Sequence, residues 1–356
     1  MSPATRLLAY LLELDTFRAQ QRALCVSEVS IPQIRERSRG FYPVLTLPLE
    51  ITTEIFIRCL PLLGDCQPDR NSAPMLLLRI CRSWSMIARA TPALWATLTL
   101  DINRLPVALY ATGRFEEFVQ TWLGRALGHR LSLYLQGYVG GELATGRLYH
   151  AIAPLATQIY HLELRMDKNF YARGSDIRAL TFPSLHTLTV LGGNTVGDPI
   201  QNFRDAKQLR EVHLMNSTAL SHILLPWTRL TIFTGSYFSD TECLNVLRSA
   251  PFLVNCTFEF IQTDNTVHPV PLCHLSLQDL TIHGSFGAVL QSLDLPALRK
   301  LHLDRVILHT QDVSSFLSRS SVSWRTSRIH PAVHDGDRIS VKWIRDLSST
   351  SPTAAI

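Results

Sequence analysis

The stretches "LHTLTV" (185–190) and "LREVHL" (209–214) share one pattern, in which a leucine is followed three and five positions later by two more apolar or small residues. The pattern recurs along the chain, and its first residues are spaced 24, 21, 23, 24 and 21 positions apart. These first residues are Leu185, Leu209, Leu230, Leu253, Leu277 and Leu298. The alternation within each copy predicts a short strand with one buried side. One copy cannot bury that side alone, so successive copies are expected to stack against each other.

A repeat of this period and pattern is typical of leucine-rich repeats. We therefore predict an irregular leucine-rich-repeat α/β solenoid over residues 98–320, in which a return segment follows each strand. The return segment "DTECLNVLRSAP" (240–251) predicts a helix capped at Asp240. The Asn or Cys that usually follows the third apolar position is missing from its expected places. The array is therefore predicted to be degenerate, and its curvature and number of repeats stay open.

Side chains between the apolar positions of each strand are expected to point to the opposite face of the sheet. On that face, charged residues lie at both ends of the strands and threonines in the middle, a mixture that suits a protein or peptide partner. A solvated sheet face is the alternative interpretation. The predicted partner-binding residues are Glu211, His213, Met215, Glu259, Asp279, His283, Lys300, His302 and Asp304.

Upstream of the repeats, "LPLEITTEIFIRCLP" (47–61) predicts a short helix, because its apolar residues recur at helical spacing. Pro48 can occupy the start of this helix, and Pro61 cannot continue it. The helix is therefore expected to end near Cys59. A helix with so many apolar side chains is either ordinary core or a surface that another protein covers.

A second helix is predicted over "APMLLLRICRSWSMIA" (73–88), where apolar residues again recur every three or four positions. The segment closes with "TPALW" (91–95), and the alternation in "ATLTL" (96–100) predicts a strand. Together with "YPVLTLP" (42–48) and the Cys-x-x-Trp pair in the second helix, these stretches resemble an F-box-like domain. The resemblance is to the form abundant in mushroom-forming fungi (basidiomycetes), in which degenerate leucine-rich repeats follow.

This resemblance implies a small all-α F-box-like helical module over residues 41–97 that docks onto the Skp-type adaptor of a cullin–RING ubiquitin ligase. The predicted fold class is therefore α+β: this helical module, preceded by an N-terminal helix and followed by the irregular leucine-rich-repeat α/β solenoid. Carried over by matching position, the adaptor-binding residues are Leu47, Pro48, Ile51, Ile55, Leu77, Leu78 and Trp95. The residues expected to pack inside the module are Ile80, Trp84, Ile87 and Leu94. The alternative is that this chain itself covers the adaptor-binding surface.

The two ends of the chain carry different patterns. Residues 1–40 are predicted to form an amphipathic helix, over 5–29, and a linker. That helix either folds back onto its own domain or, by its heptad-like spacing, pairs weakly with a second copy. Residues 321–356 show no sustained period and are predicted to be a mostly disordered tail.

Composition and motifs exclude several classes of function. The net charge is only +5 and the basic residues are dispersed, so nucleic acid is not expected as a partner. We predict no membrane segment and no signal peptide, because apolar runs are short and "LLAYLLEL" (7–14) lacks the flanking features. The seven cysteines form no CxxC pair, which indicates reduced thiols and a cytoplasmic or nuclear location. Nucleotide-binding and hydrolase motifs are missing, and His283 and His302 lack a third metal ligand, so no enzyme, cofactor or metal is predicted.

These expectations combine into one predicted function: a non-catalytic substrate-recognition subunit of a Skp–cullin–F-box type ubiquitin ligase. The helical module binds the adaptor, and the repeats bind a target protein whose identity stays open. The alternative is a protein-binding scaffold with an F-box-like fold that does not enter a ubiquitin ligase.

Overall fold

The computed structural model of the chain describes residues 47–62, 64–104, 114–138, 142–166, 180–192, 199–215, 220–261, 271–284, 287–306, 315–316, 318–320, 324–331 and 339–345. The chain forms two compact units that divide after Leu180. The predicted N-terminal helix over 5–29 lies outside the described residues. That helix and its weak self-association therefore stay predictions.

The first unit combines helices with a small parallel sheet. Its described α-helices are α1 (Leu49–Arg58), α2 (Leu77–Ile80), α3 (Arg82–Ala90), α4 (Arg114–Gly124) and α5 (Glu142–Ile152). Its described strands are β1 (Thr97–Asp101), β2 (Leu131–Gly137) and β3 (Ile159–Met166). Short 3₁₀ helices span Pro92–Trp95, Ile102–Arg104 and Ala153–Leu155. Strand β2 pairs in parallel with β1 and with β3, and helices α4 and α5 connect the three strands.

Leucines from the three strands form the buried side of this sheet. Leu98, Leu133 and Leu162 lie in register on β1, β2 and β3, and none is more than 2% exposed. Helix α4 is tied to β1 by its Trp122, whose indole Nε1 donates a hydrogen bond to the Thr97 carbonyl oxygen at 3.1 Å. The strand predicted over 96–100 is thus confirmed as β1, with its apolar positions facing the core.

Helix α1 ends at Arg58 with Cys59 as its C-cap, which confirms the predicted boundary. The second predicted helix is divided into α2 and α3, because Cys81 between them has an extended backbone (φ −157°, ψ 169°). The Cys81 Sγ accepts a hydrogen bond from the Trp84 backbone N–H at 3.5 Å and so caps α3. The Trp84 ring in turn packs against Phe56 of α1, with a centroid separation of 4.9 Å. The Cys-x-x-Trp pair therefore has a structural role at the start of α3.

In the described part of the second unit, six strands, one for each copy of the repeated pattern, pair in parallel in one sheet. These are β4 (Thr187–Leu191), β5 (Glu211–Met215), β6 (Ile232–Ser236), β7 (Asn255–Ile261), β9 (Asp279–Gly284) and β11 (Lys300–Val306), paired in that order. The two-residue strands β8 (Leu272–Cys273) and β10 (Leu293–Asp294) form a separate parallel pair. The described helical connections are α6 (Asp240–Ser249), α7 (Gly287–Ser292) and the 3₁₀ helices Leu220–His222 and Trp227–Arg229.

The repeated apolar positions form the core of the second unit in continuous rows. One row joins Leu188, Val212, Phe233, Cys256, Leu280 and Leu301 through the strand register. The six leucines that begin the copies are all fully buried. The helix predicted over 240–251 is confirmed as α6, although Ser239 caps it instead of Asp240. Ser239 and Glu242 form a capping box there, with reciprocal bonds between side chain and backbone.

The predicted fold class was wrong. The described chain is of the α/β type, with open sheets of parallel strands, three in the first unit and six in the second, and few helices. It is not a small all-α module followed by a leucine-rich-repeat solenoid. The helices of 49–95 do not form a domain of their own, because Trp95 packs on Trp122 of α4 with ring centroids 5.1 Å apart. Trp95, one of the residues that suggested a separate module, is in this way shared with α4.

Part of the segment predicted as a disordered tail forms strands. Strand β12 (Trp324–Pro331) pairs antiparallel with β13 (Ile339–Arg345), and β13 pairs antiparallel with β11. The alternating stretch "ISVKWI" (339–344) lies within β13. The rest of 321–356 lies outside the described residues.

Candidate functional site

Seven large apolar side chains that lie on α1, α2 or α3, or within two residues of one of these helices, are exposed, and we call them the exposed apolar set. Their exposed fractions lie between 37% and 63%. The set consists of Leu47, Leu49, Ile51, Ile55, Leu76, Ile80 and Met86. Ile51 and Ile55 are one helical turn apart on α1 and therefore share a side of that helix. The inner side of α1 is formed by Thr52 and Phe56, which are 4% and 0% exposed.

The structure divides the predicted adaptor-binding residues into two groups. Leu47, Pro48, Ile51 and Ile55 are exposed, and Leu78 is half-buried. Leu77 and Trp95, in contrast, are only 3% and 0% exposed, so they are not presented to a partner. Leu49, Leu76, Ile80 and Met86 are exposed without having been predicted as adaptor-binding. Ile80 had been placed inside the helical module. The break at Cys81 changes the direction of α2 relative to α3, so a projection of one continuous helix assigns its sides incorrectly.

Trp95 is enclosed by this chain's own atoms. Its indole Nε1 donates a hydrogen bond to the Ala88 carbonyl oxygen at 2.8 Å. The Trp122 ring contacts it edge to face, and the Arg125 guanidinium lies over the Trp95 ring, 4.4 Å from its centroid. These contacts join α3, the 3₁₀ helix Pro92–Trp95 and α4. Trp95 is therefore a core residue of the first unit.

In the second unit, the predicted partner-binding residues lie on the sheet face opposite the core. Lys300 is exposed, the side chain of Asp304 is outside the described residues, and the others are half-buried. The strand register places Glu211, Ile232, Asn255, Asp279 and Lys300 in one row. It places His213, Thr234, Thr257, Thr281 and His302 in the next row. The sequence prediction of a charged and threonine-rich face is thus confirmed at the level of strand register.

Neighbouring side chains on this face bind each other. Glu211 accepts a hydrogen bond from Thr187 Oγ1 and contacts His213 Nε2, both at 3.1 Å. Lys300 Nζ donates to Asp279 Oδ2, also at 3.1 Å. The Lys300–Asp279 ion pair is 56% and 34% exposed at its side chains and so contributes about 0–1 kcal/mol to stability. The Glu211–His213 contact is a hydrogen bond within β5. Together these contacts orient the polar groups on the sheet.

The same face continues with residues that join adjacent strands. Ser236 Oγ lies within hydrogen-bond distance of two acceptors, Met215 Sδ at 3.0 Å and Glu259 Oε2 at 3.2 Å, and its one hydroxyl hydrogen can be donated to either of them. The rings of His283 and His302 meet edge to face, with centroids 5.8 Å apart. In the described part of the chain, no group of three or more His, Cys, Asp or Glu residues is arranged to hold a metal ion. The face thus presents both hydrogen-bond donors and hydrogen-bond acceptors.

A half-enclosed pocket in the first unit, which we call the polar pocket, was not predicted from the sequence. It has a volume of about 180 Å³ and lies between the loop 64–67 and the outer faces of β1, β2 and β3. The loop is held on β1, because the Thr99 backbone N–H donates to the Cys66 carbonyl oxygen at 3.0 Å. Thr99 Oγ1 also donates to the Gly64 carbonyl oxygen at 2.8 Å. Residues far apart in sequence line this pocket, and no local motif marks it.

Tyr134 lies at the base of the polar pocket and is 8% exposed. Its ring contacts His161 at a centroid distance of 4.8 Å. Burial, and then the nearby Glu163 carboxylate and Cys66, raise the pKa of the Tyr134 hydroxyl. The hydroxyl therefore stays protonated at neutral pH and can donate a hydrogen bond.

Cys66 in the same loop is expected to resist alkylation, because its side chain is buried. It is 2% exposed, and burial raises the pKa of its thiol to about 11, whereas Cys59 on the surface is exposed. The thiolate is the reactive form, so iodoacetamide at pH 8 should modify Cys59 at least about tenfold faster than Cys66 in the folded protein. Mass spectrometry of timed samples measures both rates. In urea the two rates should become similar, and equal rates in the folded protein would contradict the buried position of Cys66.

The raised pKa of Cys66 also has a consequence for stability. The folded state keeps a proton that the unfolded chain loses near the ordinary value of 9.0. This contribution to the free energy of unfolding is therefore complete below pH 9 and decreases as the pH rises toward 11.

Comparison with known proteins does not assign the chain to a family. No protein-family model matches it, and no curated protein sequence shows significant similarity to it. Among the described residues, no helix has both the length and the apolar character needed to cross a membrane.

Proposed function

We propose that the chain is a non-catalytic recognition subunit of a cullin–RING ubiquitin ligase, working in the cytoplasm or nucleus. The exposed apolar set docks onto the Skp-type adaptor, and the polar sheet face of the second unit binds the target protein. The single observation that supports this proposal most strongly is the group of exposed leucine, isoleucine and methionine side chains in 47–86. The resemblance described from the sequence supplies the identity of the adaptor.

The energetics favour a partner on the exposed apolar set. Full burial of one Leu, Ile or Met side chain contributes about 1.5–3 kcal/mol. Side chains that are already about half-buried contribute roughly half of that on docking. A partner that covers all seven of them offsets much of the association cost, which is about 4–15 kcal/mol.

The sheet face of the second unit is suited to discriminating between target proteins, and contributes less to the strength of binding. Its Lys300 is bonded to Asp279 of the neighbouring strand, and its Glu211 is bonded to Thr187 of β4 and to His213 within β5, so a partner meets these groups in a preferred arrangement. Fixed charges on a surface discriminate between partners, because a like charge placed opposite them is unfavourable. This assignment of the target-binding role follows from the mixed polar character of the face.

The test is adaptor binding by a charged double variant. Ile51→Asp with Ile55→Asp should weaken binding to a purified Skp-type adaptor from a mushroom-forming fungus by at least about tenfold, because two carboxylates would be desolvated in the interface. Isothermal titration calorimetry measures the dissociation constant. The matched control is Phe252→Asp with Leu275→Asp, which changes two residues of the second unit that are 61% and 72% exposed.

The outcomes separate the proposal from its alternative. The control should bind the adaptor like the unchanged chain, and both variants should keep the far-ultraviolet circular dichroism of the folded protein. If the unchanged chain does not bind the adaptor, the ligase assignment fails. The chain is then better described as a protein-binding scaffold outside the ubiquitin pathway. Equal weakening by both variants would show that the exposed apolar set is not the docking surface.

A further inference from the structure

Three charged side chains line the polar pocket of the first unit. Its lining includes the carboxylates of Asp65 and Glu163 and the guanidinium of Arg165. Two negative groups and one positive group give a net charge of one negative unit. The volume of about 180 Å³ corresponds to roughly six water molecules of the liquid, which is room for one side chain.

The Glu163 carboxylate is the central group of this pocket. Its side chain is only 14% exposed, and its Oε1 accepts a hydrogen bond from Arg165 Nε. Within the described part of the chain, this bond leaves Oε2 available to a ligand. Charges in such a partly buried site interact more strongly than charges in water. Arg165 is 53% exposed and therefore lies toward the mouth, where its charge is better screened by solvent.

The remaining lining complements a basic group. The amide oxygens of Gln67 and Gln136 can accept hydrogen bonds, and the Tyr134 ring offers an aromatic surface to a cation. The strand register places Gln136 beside Arg165, and Tyr134 beside Glu163, so these groups belong to one small area of the sheet. Glycine at position 64 suits this loop, because its φ of +92° is a backbone conformation that L side chains rarely adopt.

We propose that the polar pocket binds a basic side chain, arginine in preference to lysine, of the target protein. This inference rests on the proposed function, because it describes one specificity element of target recognition. The guanidinium carries five donors in a planar group, which suits a site with one free carboxylate oxygen, a second carboxylate at the rim and two amide oxygens. An acidic side chain would meet two carboxylates and is disfavoured.

Small probes test the pocket independently of the adaptor and of the natural target. The probe is the blocked pentapeptide acetyl-Gly-Gly-Arg-Gly-Gly-amide, and its binding to the full chain is measured by ligand-observed nuclear magnetic resonance titration. The matched probes replace arginine by citrulline, which has the same shape without the charge, by lysine or by glutamate. The arginine peptide should bind at least about tenfold more tightly than the citrulline peptide, because a charge-assisted bond is replaced by a neutral one.

Two variants should shift this affinity in opposite directions. Glu163→Gln should remove the preference for arginine over citrulline, whereas Arg165→Gln should tighten arginine binding several-fold by removing a competing cation. A merely structural effect would weaken binding in both variants. The control Glu54→Gln neutralises a carboxylate of the exposed Arg58 pair on α1 and should change nothing. Circular dichroism checks that every variant is folded.

Several results would overturn the inference. These are tighter binding of the glutamate peptide, equal binding of the arginine and citrulline peptides, or no detectable binding of any peptide. Propylguanidine, which carries the guanidinium and its single charge without a peptide backbone, should bind more weakly than the pentapeptide. Equal or tighter binding of propylguanidine would overturn the assignment to a protein target. Because adaptor binding is measured separately, failure of the pocket and failure of the ligase assignment give different results.

Discussion

Replacement of Trp95 by alanine is expected to lower the free energy of unfolding by about 3–5 kcal/mol. The side chain is fully buried, and its indole N–H is bonded to the Ala88 carbonyl oxygen. Alanine would leave a cavity beside Trp122, remove the cation–π contact with Arg125 and leave the Ala88 oxygen without this donor. Urea denaturation followed by circular dichroism measures the change.

Two further variants separate the components of this effect. Trp95→Phe keeps an aromatic ring but loses the N–H donor and part of the volume, so we expect a loss of about 1–3 kcal/mol. Ile51→Ala removes an apolar side chain that is 50% exposed and should cost less than about 1 kcal/mol. If Trp95→Ala were no more destabilising than Ile51→Ala, Trp95 would have to be accessible, and the adaptor-binding role implied by the resemblance would become possible again.

The strands of the second unit could be predicted from the sequence because their signal is local and repeated. Each copy places two inward residues two positions apart, as Val212 and Leu214 do, and the regular spacing brings successive copies into register. The alternation of apolar and polar residues is enough to predict a strand that has one buried side. The outward residues of the same strands, such as His213 and Thr234, follow from the same alternation.

The fold class could not be predicted in the same way, because it depends on which elements share a core. Trp95 closes a stretch that resembles a separate helical module, yet its partner Trp122 lies 27 positions further along the chain on α4. An apolar residue at helical spacing shows that something covers it, but not whether the cover is this chain or another one. The resemblance implies that another protein covers Leu77 and Trp95. In the structure, both side chains are buried by this chain itself.

The candidate site could be predicted only in part, for reasons that lie in backbone geometry. The exposure of Ile51 and Ile55 follows from one regular helix and was anticipated. The exposure of Ile80 depends on the extended backbone at Cys81, which no periodicity reveals. The polar pocket combines a loop with three strands, from Gly64 to Arg165, so it becomes visible only after the sheet is assembled.

Replacement of Gly235 by alanine is expected to destabilise the second unit by about 2–3 kcal/mol, because the new methyl group would overpack a full core. A Cβ at this position would lie 2.4 Å from Phe238 Cε2 and 2.9 Å from Phe233 Cε1. Both rings are at most 1% exposed, and they stack with their centroids 6.0 Å apart, so neither can move away freely. Gly235 is the third position of its copy, where the neighbouring strands carry Leu214 and Phe258.

Phe238 therefore fits in the core because residue 235 has no side chain. A double variant tests this explanation directly. Phe238→Leu shortens the obstructing ring, so the loss in Gly235→Ala with Phe238→Leu should be smaller than the sum of the two single losses. The control is Gly124→Ala at the end of α4, where a Cβ meets nothing within 4 Å, and there we expect a gain of about 0.5–1 kcal/mol. Urea denaturation measures all four variants. Strict additivity of the double variant, or equal effects at Gly235 and Gly124, would show that backbone freedom and not the contact with Phe238 requires glycine in β6.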